Sequence, residues 1–241
     1  MKSNGANYTK KEQEIFDLLR EASFYLQTYR SIDALNVLHR AEGLMKADVV
    51  VGSLKASVYK NLGEANIQMG QLDNAMYFLK QAYDSLAEGN DKAAIAGMMA
   101  NYYLRGRKTK EALFYADKAL IMSTAPELKS MPYRIMGTIS LIDGDRQKAI
   151  ELMNKAAEIA EQTHCLTDLA MTIMDISAIF LEMGMLETAL SEVYRAERYV
   201  KESRNLDLYI RCSIRRAKIL FKMKKDEEAK ALIMAIDEQR N

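Results

Sequence analysis

Four basic residues in the last fifth of the sequence share a spacing that favours anion binding. Arg211, Arg215, Lys218 and Lys222 follow one another at intervals of four, three and four residues. On an α-helix this spacing places all four side chains on one face. Guanidinium and ammonium groups bind carboxylates, and they also bind phosphates. The pattern therefore suits a carboxylate, an acidic peptide or a phosphate backbone as ligand, and a solvated face partly paired with acids of the last helix is the competing interpretation.

Residues that carry catalysis or bind metals are sparse. The two histidines, His39 and His164, are far apart, and the two cysteines, Cys165 and Cys212, form no metal-binding spacing. The sequence also lacks a glycine-rich phosphate loop, a nucleophile elbow and a signature of paired catalytic carboxylates. It therefore predicts a protein that is not an enzyme and that has no metal and no cofactor.

The composition predicts an all-α fold. Apolar residues make up 49% of the 241 residues, and the chain has 2 prolines and 11 glycines. Alanine, leucine, methionine, glutamate and lysine are abundant, and these residues favour helices. We find no run of alternating β-branched residues bounded by turn signals, which would indicate strands. The formal net charge of +1 gives no overall bias toward nucleic acids or membranes.

The sequence predicts a cytoplasmic protein. Its polar first residues lack the apolar segment of a signal peptide. The most apolar long window, residues 169–186, contains Asp175 and Glu182, so a buried helix explains it better than a membrane span. The two unpaired cysteines agree with a reducing compartment.

Small residues recur along the whole chain at a nearly constant interval, which indicates internal repeats. Each of six units contains an anchoring alanine, and these anchors are separated by 41, 37, 37, 40 and 40 residues: Ala34, Ala75, Ala112, Ala149, Ala189 and Ala229. Seven residues after each anchor stand Ala41, Ala82, Ala119, Ala156, Ala196 and, as the exception, Ile236. Twelve residues before each anchor stand Ala22, Gly63, Ala100, Gly137, Ser177 and Ala217.

This pattern resembles the tetratricopeptide repeat. The second unit matches the family pattern best, at Tyr59, Leu62, Gly63, Gly70, Ala75, Leu79 and Ala82. The units here are longer than the usual length of about 34 residues. The resemblance implies a right-handed α-solenoid of about six units, each made of a helix A and a helix B, and we expect a single domain over residues 1–241.

The polar residues between the apolar runs predict the helix ends. Glycine five residues before the anchor, at Gly70, Gly144 and Gly184, with Gly106 displaced by one, suits a left-handed residue that closes helix A. Thr9 and Glu12 have the spacing of a capping box. Further N-caps are expected at Ser31, Asp73 and either Asp145 or Asp226.

The resemblance implies that any ligand lies in a concave channel lined by the A helices. The channel positions of the repeat include a group of methionines, whose side chains adapt to varied apolar partners but also fill gaps between long helices. The candidate peptide-binding residues are Lys60, Asn61, Glu64, Met98, Asn101, Arg105, Met131, Arg134, Met171, Met174, Arg211, Arg215, Lys218 and Lys222.

These observations predict a non-catalytic scaffold that binds a protein or peptide with acidic groups and apolar anchors. One alternative is the ligand-sensing domain of a transcriptional or signalling regulator. A second, less favoured, is nucleic-acid binding through the basic face of the sixth unit; no membrane partner is expected. The exposed side of the last helix, within residues 225–241, predicts contact with a second copy or with a further domain.

Overall fold

The computed structural model describes residues 9–28, 30–46, 51–203 and 205–240. Within these ranges the chain forms α-helices, one short 3-10 turn at Pro126–Leu128, and no strand. The helices are α1 (Lys10–Gln27), α2 (Ser31–Lys46), α3 (Gly52–Gln68), α4 (Leu72–Asp84), α5 (Asn90–Arg105), α6 (Thr109–Met122), α7 (Ser130–Ile142), α8 (Arg146–Gln162), α9 (Leu166–Glu182), α10 (Leu186–Ser203), α11 (Leu206–Lys222) and α12 (Asp226–Arg240).

The helices pack as six consecutive hairpins. Each odd-numbered helix, the helix A of its unit, pairs with the even-numbered helix B that follows it. Each B helix also contacts the next A helix, and A helices contact one another at α1–α3, α5–α7, α7–α9 and α9–α11. This arrangement is an α-solenoid in which neighbouring units share one continuous core. The predictions of an all-α class and a solenoid of six units are confirmed. No described helix is both long enough and apolar enough to cross a bilayer.

The repeating small residues lie at the contacts between helices. All six anchoring alanines are fully buried, and the residues seven positions later are at most 5% exposed. The residues twelve positions before the anchors are buried as well. A small side chain lets two helix backbones approach closely, so the repeat in the sequence is the packing register of the solenoid.

Gly63 and Gly137 occupy the closest of these approaches. A Cβ atom on Gly63 would lie 2.9 Å from both Cγ and Cδ2 of Leu79. A Cβ atom on Gly137 would lie 2.8 Å from Cγ of Met153 and 3.1 Å from the carbonyl oxygen of Ala149. In both units helix B therefore fills the space that any larger side chain on helix A would need.

In units two to six, the turn between helix A and helix B contains one left-handed residue, five positions before the anchor. In units two, four and five this residue is a glycine, as predicted, with φ of +72° at Gly70, +87° at Gly144 and +76° at Gly184. In unit three Arg107 takes the conformation, with φ of +58°, whereas Gly106 has φ of −79°. In unit six Lys224 has φ of +60°. The prediction that Gly106, displaced by one position, is the left-handed residue was wrong. The left-handed conformation stays five positions before the anchor, although that residue is an arginine.

Arg107→Gly and Lys224→Gly are each expected to stabilise the fold by about 1 kcal/mol. A left-handed residue with a Cβ atom costs about 1 kcal/mol relative to glycine. Chemical denaturation of each variant measures the change. Lys108→Gly is the matched control, because Lys108 has φ of −92° and glycine relieves no strain there. Equal or lower stability of Arg107→Gly than of Lys108→Gly would contradict the prediction.

The predicted N-caps are confirmed at two helices. At α1 the backbone N–H of Glu12 donates to Oγ1 of Thr9, and the backbone N–H of Thr9 donates to the Glu12 carboxylate, which completes the capping box. At α8 the Asp145 carboxylate accepts a hydrogen bond from the N–H of Lys148.

The N-cap expected at Asp73 was wrong. Helix α4 begins at Leu72, with Gln71 as its N-cap residue, and Asp73 lies inside its first turn. There its carboxylate still interacts favourably with the positive end of the helix dipole. Ser31 and Asp226 are the first residues of α2 and α12 rather than residues that precede them.

Candidate ligand-binding channel

A cleft between α9 and α11 brings together the largest group of predicted site residues. Its volume is about 300 Å³, and it lies between the A helices of units five and six. The cleft is lined by Met174, Asp175, Arg211, Ile214, Arg215 and Lys218. Four of these six residues are sequence-predicted candidates. We call this site the basic cleft.

The basic cleft carries excess positive charge. Arg215 and Lys218 form no ion pair with any residue that the structure describes, and Nη1 of Arg211 lies 4.0 Å from Oδ2 of Asp207. Both side chains of that pair are more than half exposed, so the interaction is weak. The one acid in the cleft, Asp175, already holds an ion pair elsewhere. An anion entering the cleft therefore meets cations with few competing partners.

Arg134 does not line the basic cleft but forms an ion pair with Asp175, which does. It lies on α7, and its Nη1 donates to Oδ2 of Asp175 on α9 at 3.1 Å. The Arg134 side chain is 10% exposed, and its Nε has no hydrogen-bond partner in the described part of the chain. Burial raises the pKa of the nearby Asp168 carboxyl, and the positive charge of Arg134 opposes that rise. Arg134 thus joins units four and five and fixes the Asp175 carboxylate.

The four methionines differ in how much surface they leave for a ligand. Met174 is 4% exposed and belongs to the core around α9, although it also reaches the basic cleft. Met171 is half-buried, and its Sδ lies 3.9 Å from Nη1 of Arg211. Met98 and Met131 are half-buried and pack on the cores of neighbouring units. All four therefore fill gaps between helices, and Met171 and Met174 also border the basic cleft.

The remaining candidates lie apart from the basic cleft. Lys60 lines a separate cleft of about 170 Å³ between α3 and α5, which also contains Asp91. Asn61 is 7% exposed, so little of it can reach a ligand. Asn101 is half-buried and Arg105 is exposed near the end of α5. The predicted site residues are therefore spread over more than one cleft.

A wider cleft lies where the two ends of the solenoid approach each other. Its volume is about 670 Å³. One wall comes from α1 and α3, including the candidate Glu64, and the other from the α10–α11 junction, including Ser203 and Asn205. Gln68 stiffens the first wall, since its Nε2 donates to the Leu26 carbonyl at 3.0 Å and its Oε1 accepts from the Ser31 hydroxyl at 2.7 Å. The solenoid thus curls until its first two units face the junction between its last two.

Two lining groups were missed by the sequence analysis. Ile214 lies three residues after Arg211 and four before Lys218, on the same face of α11, so the spacing itself could have indicated it. Ser203 and Asn205 lie between helices, and only the curvature of the whole stack brings them opposite unit two. Lys222, the last candidate of the basic face, lines a different, apolar cleft between α11 and α12.

The residue types that could support catalysis remain scattered. Cys212 is fully buried, and burial raises the pKa of its thiol to about 12, so it stays protonated at neutral pH. Cys165 is half-buried and His164 is exposed at the turn after α8. Among the described residues, no group of three or more His, Cys, Asp or Glu is placed to hold a metal ion.

Comparison with known proteins gives structural neighbours only. No family model matches the chain, and no curated protein matches its sequence. A Rap protein solved in complex with competence and sporulation factor has a TM-score of 0.77 at 16% identity, covering 98% of this chain and 66% of that one. Aspartyl phosphate phosphatase F from Bacillus subtilis has a TM-score of 0.67 at 16% identity, covering 95% of this chain and 70% of that one.

A third neighbour is a Rap conjugation gene regulator of a plasmid, solved in complex with a Phr peptide. Its TM-score is 0.67 at 13% identity, with coverage of 93% of this chain and 74% of that one. Kinesin light chain repeats of the tetratricopeptide-like type also match, with a TM-score of 0.61. At these identities the likeness shows the fold alone. The chain has the fold of tetratricopeptide-like helical repeat proteins, as the sequence resemblance predicts.

Proposed function

We propose that this chain is a non-catalytic module that captures a peptide segment with acidic groups and apolar anchors in its channel. The observation that carries this proposal is the basic cleft, where three cations without strong internal partners stand beside apolar side chains. Such a site offers carboxylates charge-assisted hydrogen bonds and offers apolar side chains a surface to cover. A cytoplasmic location and a single domain over residues 1–241 belong to the same proposal.

The structural neighbours support the proposal by analogy of fold. Two of them were solved with a bound factor or peptide, the competence and sporulation factor and the Phr peptide. A solenoid of this fold can therefore hold such a ligand. One neighbour is named a phosphatase, but at 16% identity the name carries no chemistry over to this chain.

In the proposed mechanism each part of the basic cleft has a separate role. Arg211, Arg215 and Lys218 bind carboxylates of the ligand. Ile214, which is 54% exposed, and the border formed by Met171 receive an apolar side chain. The Arg134–Asp175 ion pair keeps units four and five in fixed relation, so that the cations on α11 face a rigid wall. Preformed geometry of this kind lowers the entropic cost of binding.

Selection from a random heptapeptide library on the immobilised chain tests the proposal. We expect the bound peptides to be enriched in Asp and Glu together with large apolar residues. Enrichment of basic peptides, or no enrichment over a surface without protein, would contradict the proposal. Binding of an unrelated single-stranded oligonucleotide with steep salt dependence would instead favour the nucleic-acid alternative.

A sensing role is the second candidate, and the curled shape of the solenoid favours it. Because the first two units face the α10–α11 junction across one cleft, a ligand that contacts both walls would change the distance between them. Such a change is the kind of signal that a regulatory partner can read. Small-angle scattering with and without a selected peptide distinguishes the two, since a passive scaffold keeps its dimensions.

A further inference from the structure

The last unit presents an apolar cleft on the side of the solenoid away from unit five. The cleft has a volume of about 470 Å³ and lies between α11 and α12. Its lining residues are Ile214, Ala217, Lys218, Phe221, Lys222, Ile233 and Ile236. Ile214, Phe221 and Ile233 are between 40% and 54% exposed, and Met234 beside them is 66% exposed. No helix among the described residues covers this face.

The repeat register shows that the equivalent face of unit five is covered. Met174, Leu181 and Val193 of unit five stand 40 residues before Ile214, Phe221 and Ile233, and they are 4%, 5% and 0% exposed. Helix α11 covers that face of unit five. Its Cys212 lies directly on Val193, with Sγ 3.9 Å from the Val193 carbonyl oxygen. The apolar cleft is therefore a stacking surface of the solenoid.

The opposite end of the solenoid has no matching surface. By the same register, α1 presents Gln13, Asp17 and Glu21 where α11 presents Leu208, Cys212 and Arg216 toward unit five. Those three residues of α1 are polar and exposed. Polar outer faces of this kind close solenoids and keep them soluble. A second copy therefore cannot continue the stack by placing its α1 on the apolar cleft without burying the charged carboxylates of Asp17 and Glu21 against apolar side chains.

We propose that the apolar cleft binds a second copy of this chain, tail to tail, about a two-fold axis. In this dimer Ile233 and Phe221 of each copy pack into the cleft of the other. The interface is isologous and closed, since the same patch is used by both copies. It adjoins the peptide site proposed above and shares Ile214 and Lys218 with it, whereas Phe221, Ile233 and Ile236 line the apolar cleft alone.

The charges of the last unit agree with pairing between two copies. Lys218 and Lys222 border the cleft on α11, whereas the first turn of α12 is acidic at Asp226, Glu227 and Glu228. All five side chains are exposed. A two-fold arrangement can place the basic edge of one copy against the acidic turn of the other twice. Complementary charges at the rim set the register, and the apolar centre supplies most of the affinity.

Light scattering coupled to size-exclusion chromatography tests the dimer at micromolar concentrations. We expect the intact chain to have the mass of two copies. Ile233→Glu and, separately, Phe221→Glu should each give the mass of one copy, because a buried carboxylate in an apolar interface has no partner there. Ile233 and Phe221 are 40% and 41% exposed, so we expect each replacement to leave the fold of one copy unchanged, which circular dichroism verifies.

Ile121→Glu is the matched control, since Ile121 is 79% exposed on α6 and lies far from the last unit. This variant should remain a dimer. A monomeric wild-type chain, a dimer that survives both substitutions in the apolar cleft, or a series of larger assemblies that grows with concentration would each overturn the proposal. A monomer that still selects acidic peptides would overturn the dimer alone and leave the proposed function intact.

Discussion

Reversing two charges of the basic cleft, by Arg211→Glu together with Arg215→Glu, is expected to weaken capture of a selected acidic peptide by about 100-fold or more. A hydrogen bond to a charged group contributes about 1.5–3 kcal/mol, and each tenfold change in affinity corresponds to about 1.4 kcal/mol. The loss of two such bonds therefore removes at least two orders of magnitude. Repulsion between the new glutamates and the ligand adds to the loss. Isothermal titration with one selected peptide measures it.

The fold should tolerate this double reversal. Arg211 is exposed and Arg215 is half-buried, and neither holds a short ion pair within the described chain. Arg198→Glu with Lys201→Glu is the matched control, because it makes the same change in net charge at two exposed positions on α10. Unchanged peptide affinity in the cleft variant, or equal loss in both variants, would refute a specific role for the basic cleft. Loss of helical signal in the cleft variant would show that the arginines are structural.

Replacing Gly63 by leucine is expected to destabilise the fold by about 3 kcal/mol or more. The Leu79 side chain already lies 2.9 Å from the place where a Cβ atom would be, and Leu79 is fully buried. Inserting a large side chain into a packed contact typically costs about 1–3 kcal/mol, and here the Ala75 carbonyl oxygen, 3.4 Å from the Cβ position, also restricts the added side chain. A loss of this size is a large fraction of the roughly 5–15 kcal/mol that stabilises a typical domain. Chemical denaturation measures the loss.

Gly97→Ala provides the contrasting substitution on another helix A. Its Cβ would lie 3.6 Å from Sδ of Met131, an ordinary contact, and alanine favours a helix by about 1 kcal/mol over glycine. We therefore expect this variant to be as stable as the wild type or more stable. If Gly63→Leu unfolded at the same denaturant concentration as Gly97→Ala, close packing of α4 on Gly63 could not be the reason for that glycine.

Much of the fold follows from local sequence because each unit repeats the same contact. The anchoring alanines identify the helix pairs, and the glycines at three turns mark where helix A ends. Arg107 and Lys224 show the limit of this reasoning, since they take the left-handed conformation without a glycine to announce it. Their backbone is held by the helices on either side, so the turn geometry is a property of the unit rather than of one residue.

The candidate site was less predictable than the fold. Spacing alone places Arg211, Arg215 and Lys218 on one face, and the structure brings them into one cleft. Spacing cannot show that Arg134 turns toward Asp175 and is buried, because that contact joins residues 41 positions apart. It also cannot bring Ser203 opposite Glu64, because their approach depends on the summed rotation of every unit between them.

The cleft between the two ends of the solenoid makes the molecule an incomplete ring. Each contact between neighbouring units contributes to the width of the gap in this ring. The gap between Thr28 and Asn205 is set by the relative rotation of every pair of neighbouring units, and small rotations of the same sense add up across the stack. A substitution at any one contact between units, such as the contact between α7 and α9, is therefore expected to alter the width of the gap without changing the residues of its walls. Positions remote from both walls therefore help to set the width of this gap.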